Sequence, residues 1–390
     1  MTSWALILVP GYYRKPKNTL RDVLVANLTL SETMPMTETA SDTDKATLTV
    51  TPSDTTGLPE TLDVFEASWS DLIPTPAEER PIGRLFQGLS LLIYWLGYPR
   101  MWLAIFRYSF YIAVGYLASA AMLVLWLISL IAIVAQATGA DTTTTAVTAD
   151  GSDAMVWLGQ HVQTAAAWLV AKLPPTWAAT LTILIPLLPV MTVADLAAFT
   201  RAYLRDAAAD GITGLRARLR MRVQTSLANA LAAGSYDRVI VVGHSFGSLI
   251  VADLIAGWYR AADLEKISVV TIGSPGAVLA FRSDWLDQEI AAAVERRPGH
   301  GWTDIHADRD LLSAGLVPVD SPAVEAGDIA RFVVDLPGGL MDRIDGTIHF
   351  TYFRDERVLR TMLGQGAAPG APALPGTTEK PALPAPAPAT

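Results

Sequence analysis

The chain contains no cysteine. That excludes disulfides, thiolate metal sites and a cysteine nucleophile. It also lacks a basic excess: 29 lysines and arginines stand against 38 acidic residues, a formal net charge of −9. Phosphate binding is carried by clustered Lys and Arg, so no nucleic-acid partner is expected. Charge of either sign is scarce, at 17% of 390 residues with 51% hydrophobic, against roughly 25% charged in ordinary globular chains. The N-terminus has no basic n-region, and its apolar run Trp4–Val9 ends at Pro10-Gly11. That is too short for a signal peptide and fits a buried strand closed by a tight turn.

The apolar excess concentrates between Leu85 and Ala198. Tyr108–Ala135 carries no charge over 28 residues, about 42 Å of helix against a hydrocarbon core of about 30 Å. Trp177–Ala194 is a second uncharged run, with Pro186 and Pro189 as kinks. These two segments are expected to form a transmembrane hairpin inserted into the catalytic domain. The 12-residue run Leu85–Leu96 suits an interfacial helix. Arginines flank the pair outside, at Arg80, Arg84, Arg100 and Arg107 and again from Arg201 to Arg222, while Asp141, Asp150 and Asp153 lie between them. By the positive-inside rule both flanks face the cytoplasm. A multi-pass bacterial inner-membrane location with a cytoplasmic catalytic domain is the expectation, with membrane lipids as partners.

Four regions follow: residues 1–80 as the N-terminal part of the catalytic domain, 81–200 as the membrane insertion, 201–363 as its C-terminal part, and 364–390 as a Pro/Ala-rich disordered tail. Residues 31–57, rich in Thr, Ser, Asp and Pro, suggest a mobile loop, and 154–172 a short amphipathic helix. After residue 200 a helical stretch, 194–233, gives way to strand–helix alternation. Strands are expected at Arg238–Val242, Ile267–Ile272, Trp302–His306 and Ile329–Val334, and helices at Gly247–Tyr259 and Trp285–Glu295. Such alternation predicts an α/β fold, a mostly parallel sheet with helices on both faces.

The chemistry concentrates at Val239-Ile240-Val241-Val242-Gly243-His244-Ser245-Phe246-Gly247. A Gly-x-Ser-x-Gly between a β-branched strand and an apolar helix fits a nucleophile elbow, because the sharp turn needs small neighbours. Ser245 is the expected nucleophile and the Phe246 N–H an oxyanion donor. His244 points away and is structural. A serine hydroxyl needs a base, and there are five histidines. His161 lies between the apolar runs, and His300 and His306 lie beside a strand. His349 falls late, on a loop after Asp345-Gly346, where the order Ser, acid, His places it. The acid belongs after Trp302–His306: Asp310 is favoured, Asp308 is the alternative, and Asp304 lies within the strand. His306, Asp308 and Asp310 are too weak a set for a metal site, so neither metal nor cofactor is expected. The turn after the first strand supplies the second oxyanion donor. Gly11 permits close backbone approach and Tyr12 carries the N–H, since Pro10 has none.

In these motifs the chain resembles bacterial membrane-associated α/β-hydrolases of the lipase and esterase type. The resemblance rests on Val9-Pro10-Gly11, Trp69, Gly243 to Gly247, Gly273-Ser274-Pro275, Trp302 to Asp310, and His349 with Tyr352, and covers residues 1–80 and 200–360. It departs at the first turn, where many relatives carry His-Gly. It implies an α/β-hydrolase fold and supports Asp310 as the acid. The expected activity is cleavage of a carboxylic ester, including lipid-derived esters, through an acyl-enzyme on Ser245. Acyl transfer and thioester cleavage would use the same triad. A non-catalytic scaffold on the same fold is the other class, and a transporter has no polar pathway in either apolar run.

Overall fold

A computed structural model of the chain describes residues 2–12, 14–50, 57–73, 81–107, 117–125, 190–206, 213–233, 236–339 and 346–365, with short pieces at 113–114, 164 and 342–343. Eight strands form one mixed sheet in the order β2-β3-β4-β1-β5-β6-β7-β8. They are β1 Ser3–Val9, β2 Met36–Ser41, β3 Lys45–Val50, β4 Thr61–Glu66, β5 Arg238–His244, β6 Ile267–Ile272, β7 Trp302–Ala307 and β8 Ala330–Val334. The block β4-β1-β5-β6-β7-β8 is parallel throughout. β3 runs antiparallel to both β4 and β2.

The central strands β1, β5 and β6 are mostly apolar and buried along almost their whole length, as a sheet covered on both sides requires. Side chains alternate between the two faces. Ala5, Ile7, Val9, Val239 and Val241 enter one buried cluster, while Leu6, Leu8, Ile240 and Val242 enter another. The second face is covered by helix α1, Thr19–Thr29, and by Tyr352, Phe353 and the final helix Glu356–Met362. The start of α1 is held by Glu66 at the end of β4, whose carboxylate accepts the N–H groups of Asn18, Leu20 and Arg21 at 3.0–3.1 Å. A carboxylate there satisfies donors that a helix start leaves unpaired. The first face is covered by α2 Pro81–Leu96, α3 Pro99–Arg107, α4 Val190–Arg205, α5 Leu215–Ala232, α6 Gly247–Ala256 and α7 Asp284–Glu295.

Two sequence expectations change here. Residues 31–57, expected as a mobile loop, contain the β2–β3 hairpin. Lys45–Val50 alternates polar and apolar residues, and its Ala46, Leu48 and Val50 are buried. Its threonines have strand propensity as well as loop-like polarity.

The second change concerns the membrane. Among the described residues no helix is long and apolar enough to cross one. The inserted transmembrane hairpin is therefore not supported, and neither are the inner-membrane location and the cytoplasmic orientation built on it. α2 has 16 residues, about 24 Å, and is cut off from α3 at Gly97–Pro99. Within Tyr108–Ala135 the longest described helical piece is 117–125, about 13 Å. The rest of that segment apart from 113–114, and Trp177 to Pro189 of the second, lie outside the described residues, as do His161, nearly all of 154–172, and the tail from 366. Part of the apolar surface described in this region fills a core: Leu91, Tyr94, Trp95, Met101, Leu123 and Ala194 are buried in the cluster on the first face, while Leu89, Ile93, Trp102, Leu103, Leu117 and Val124 are exposed. Hydropathy alone does not distinguish a core helix from a spanning one.

Candidate active site

β5 ends at His244 and α6 begins at Gly247, leaving two residues for a sharp reversal. Ser245 takes the left-handed conformation, φ 54°. A non-glycine residue there stores strain and is held by its surroundings. The Ser245 N–H donates to Ile272 O at 2.7 Å, and the Ser248 N–H closes the turn onto Ser245 O at 3.0 Å. Glycine is required on either side because backbone passes too close for a Cβ. One at Gly243 would lie 2.7 Å from Ser248 Cα, and one at Gly247 would meet Val9 O and Pro10 O.

The residues expected as base and acid, His349 and Asp310, come together across the sheet end. Asp310 follows β7 and His349 lies in a short 3-10 turn, Thr347–Phe350. The His349 Nδ1–H donates to Asp310 Oδ2 at 2.6 Å. Both side chains are almost fully buried. Burial pushes the Asp310 carboxyl up, but the neighbouring His349 and hydrogen bonds from His349, Leu312 and Tyr352 outweigh it and hold the group below the usual carboxylate range. An ionised Asp310 only accepts, so Nδ1 is the nitrogen that carries a proton towards it, and Nε2 is the one whose lone pair can act as a base. That Nε2 is buried without a hydrogen-bond partner. Ser245 Oγ forms no hydrogen bond with it; such bonds are often long in unliganded sites and tighten with substrate.

His244 binds the dyad to the elbow. Its Nε2–H donates to the His349 carbonyl at 2.9 Å. Burial, the largest influence, lowers its pKa to about 3, so it stays neutral at ordinary pH. It ties the His349 backbone to the residue that precedes Ser245. Gly273, at φ 63°, brings the β6 turn up to the same imidazole: a Cβ there would sit 3.0 Å from His349 Cε1.

The alternative acids separate on position. The Asp308 side chain is 72% exposed and its nearest titratable neighbour is His306, at 3.8 Å. Asp304 is buried, with Thr271 Oγ1 donating to it at 2.7 Å and the Leu316 N–H at 2.9 Å. Only Asp310 reaches His349. Among the described residues no group of His, Asp or Glu is placed to hold a metal ion.

The first turn abuts the nucleophile. A Cβ on Gly11 would stand 2.6 Å from Ser245 Cβ and 3.0 Å from its Oγ. The turn is fixed by Trp69, whose indole N–H donates to Pro10 O at 2.9 Å. Neither the Tyr12 N–H nor the Phe246 N–H has an acceptor among the described residues. Phe199 of α4 packs against both residues, with ring centroids 4.9 Å from Tyr12 and 4.9 Å from Phe246, and stacks on Trp69 at 5.4 Å.

Two positioning residues were not assigned a role from sequence. Tyr352 accepts the Ala307 N–H at 2.9 Å and donates to Asp310 Oδ2 at 2.9 Å. Its offset of three residues from His349 is the only trace in the sequence. Phe199 lies in α4, whose start overlaps the run expected to cross a membrane, which hid it. Comparison with protein-family models, curated proteins and solved structures finds no match to this chain.

Proposed function

We propose that this chain is a serine hydrolase that cleaves carboxylic esters through an acyl-enzyme on Ser245, a reading in keeping with the α/β-hydrolase resemblance of its motifs. The observation that carries it is the His349–Asp310 pair, 2.6 Å apart and buried. Its free Nε2 sits at the sheet end where Ser245 is held in a strained turn. What sets His349 apart is the carboxylate on its Nδ1, which leaves Nε2 as the nitrogen that can take a proton; His306 also has an unpartnered ring nitrogen but no such carboxylate on its ring.

The residues imply the following sequence. Nε2 of His349 accepts the Ser245 hydroxyl proton as Oγ attacks the ester carbonyl carbon. Asp310 keeps the imidazole in the Nδ1–H form and stabilises its positive charge. The negative oxygen of the tetrahedral intermediate lies between the N–H groups of Phe246 and Tyr12. His349 then returns the proton to the leaving alkoxide oxygen and the C–O bond breaks, leaving the acyl group on Oγ. Water, deprotonated by the same Nε2, reverses the process and releases the acid.

The test is covalent labelling of the purified chain by a fluorophosphonate, which phosphonylates only an activated serine. Native protein is expected to label, and Ser245→Ala to lose the label with an unchanged circular dichroism spectrum. A folded native chain that does not label, or a variant that labels equally, overturns the proposal.

A further inference from the structure

The described residues line a partly open cavity of about 180 Å³ near the site. One wall is α4, through Val193, Leu196, Ala197 and Thr200; the opposite wall is Pro275, Val278 and Leu279 after β6. Leu311, Leu312 and Ala314 form a third side, and Trp95, Met101, Ala120 and Leu123 from the region before α4 close it. No charged residue lines it, and of its two hydroxyl-bearing residues, Ser119 and Thr200, the second is already satisfied, Thr200 Oγ1 donating to Leu196 O at 2.8 Å. The Trp95 indole N–H is likewise spent on Ala197 O at 3.2 Å.

Each wall belongs to a segment that also holds the reactive groups. Leu312 donates its N–H to Asp310 Oδ1 at 3.0 Å. The Ala314 N–H donates to Ser274 O at 3.0 Å, joining the acid loop to the β6 turn that touches His349. Ala197 and Thr200 flank Phe199, which rests on Tyr12 and Phe246. The cavity is thus lined by near neighbours in the chain of Asp310, of the β6 turn and of Phe199, while the dyad and the two candidate oxyanion donors do not line it themselves.

We propose that this cavity receives the apolar acyl chain of the substrate, and that the substrate is an ester of an uncharged hydrocarbon acid with about six carbons. This rests on Ser245 acting as the nucleophile. Lining chemistry sets the class: a carboxylate, phosphate or sugar would lose its hydration with nothing to replace it. Volume sets the length, since an apolar cavity of roughly 150 Å³ takes one benzene molecule. Each methylene that enters is worth roughly a threefold to fourfold gain.

The experiment compares kcat/KM for p-nitrophenyl acetate, butyrate, hexanoate, octanoate and dodecanoate in native protein, Ala197→Phe and Val278→Phe. The two substitutions fill the cavity from opposite walls, and rate ratios within one variant are insensitive to how much of it folds. The expected result is a hexanoate-to-acetate ratio of roughly 100 in native protein, a decline by dodecanoate, and ratios near one in both variants. A flat series in native protein, or variants that keep its chain-length profile, overturns the proposal. Benzene at millimolar concentration is the second probe and is independent of catalysis. If no ester is cleaved and Ser245 does not label, a benzene-dependent rise in Tm that both variants lose keeps the cavity as an apolar ligand site and sinks the serine reading alone. No benzene effect in native protein sinks the cavity as well.

Discussion

Asp310 gathers three donors: His349 Nδ1–H at 2.6 Å, the Tyr352 hydroxyl at 2.9 Å and the Leu312 N–H at 3.0 Å. Tyr352 aims the carboxylate and is itself aimed by the Ala307 N–H. Burial and the Asp310 charge keep its phenol far above the usual range, so it remains a donor. Tyr352→Phe removes a hydrogen bond to a charged group, worth about 1.5–3 kcal/mol. The expected outcome is a fall in kcat of roughly tenfold to a hundredfold with KM little changed, because the acid supports the charge that forms on His349 only in the transition state. Steady-state kinetics on a hexanoate ester checks this. A changed KM with native kcat would give Tyr352 a role in substrate binding instead. At this scale the sequence is instructive about types and weak about partners: Asp308 and Asp310 stand two residues apart with the same chemistry, and only the fold turns one to solvent and the other to His349.

At the scale of elements, the helices on the first face are joined through one buried carboxylate. Asp253 of α6 lies 2.7 Å from Arg216 and 3.3 Å from Arg220 of α5, while Arg216 also reaches Glu289 of α7 at 3.0 Å. The Arg216 guanidinium covers the Trp285 ring at 4.0 Å. Asp253→Ala leaves Arg216 largely buried without its main partner. Breaking such a pair costs about 3–5 kcal/mol when fully buried, and Arg216 keeps some solvent and Glu289, so about 2–3 kcal/mol is expected. A lower urea midpoint at unchanged m-value reads this directly. A shift under about 0.5 kcal/mol, the range of an ordinary surface substitution, would show that the three helices are held by packing alone. Because α6 begins at the elbow, this network also fixes the direction in which Ser245 is presented.

For the whole molecule, stability should depend on acid through two buried histidines. Burial lowers His244 to about 3 and His306 to about 4; unfolded, both titrate near 6.5. Below 6.5 the unfolded chain takes up protons that the native chain refuses, so stability is present above that value and is lost as pH falls. Each group contributes up to about 1.4 kcal/mol per pH unit until its native value is reached. Between pH 7.5 and 5 the loss is about 4 kcal/mol for the pair, a large share of a typical 5–15 kcal/mol. His306→Gln should remove about half of it. Urea unfolding at the two pH values tests this, and equal stability at both would show that the two imidazoles take up their protons without unfolding.

Local pattern by itself determined the elbow, since a β-branched run meeting Gly-His-Ser-Phe-Gly has few other ways to fold. Chain order and five histidines pointed to His349, which the structure sets against Asp310. It also placed β5, β6 and β7 and α6, whose periodicities are strong. Tertiary structure decided what depends on distant neighbours: Asp310 over Asp308, the part of Tyr352, and the cavity between α4 and the β6 turn. It decided the β2–β3 hairpin as well, whose Thr-rich alternation becomes a strand only when β4 offers an edge. The apolar excess shows the limit most plainly. Hydropathy reports that a side chain avoids water, not what replaces it, and Leu91, Trp95 and Leu123 became buried against this chain's own core.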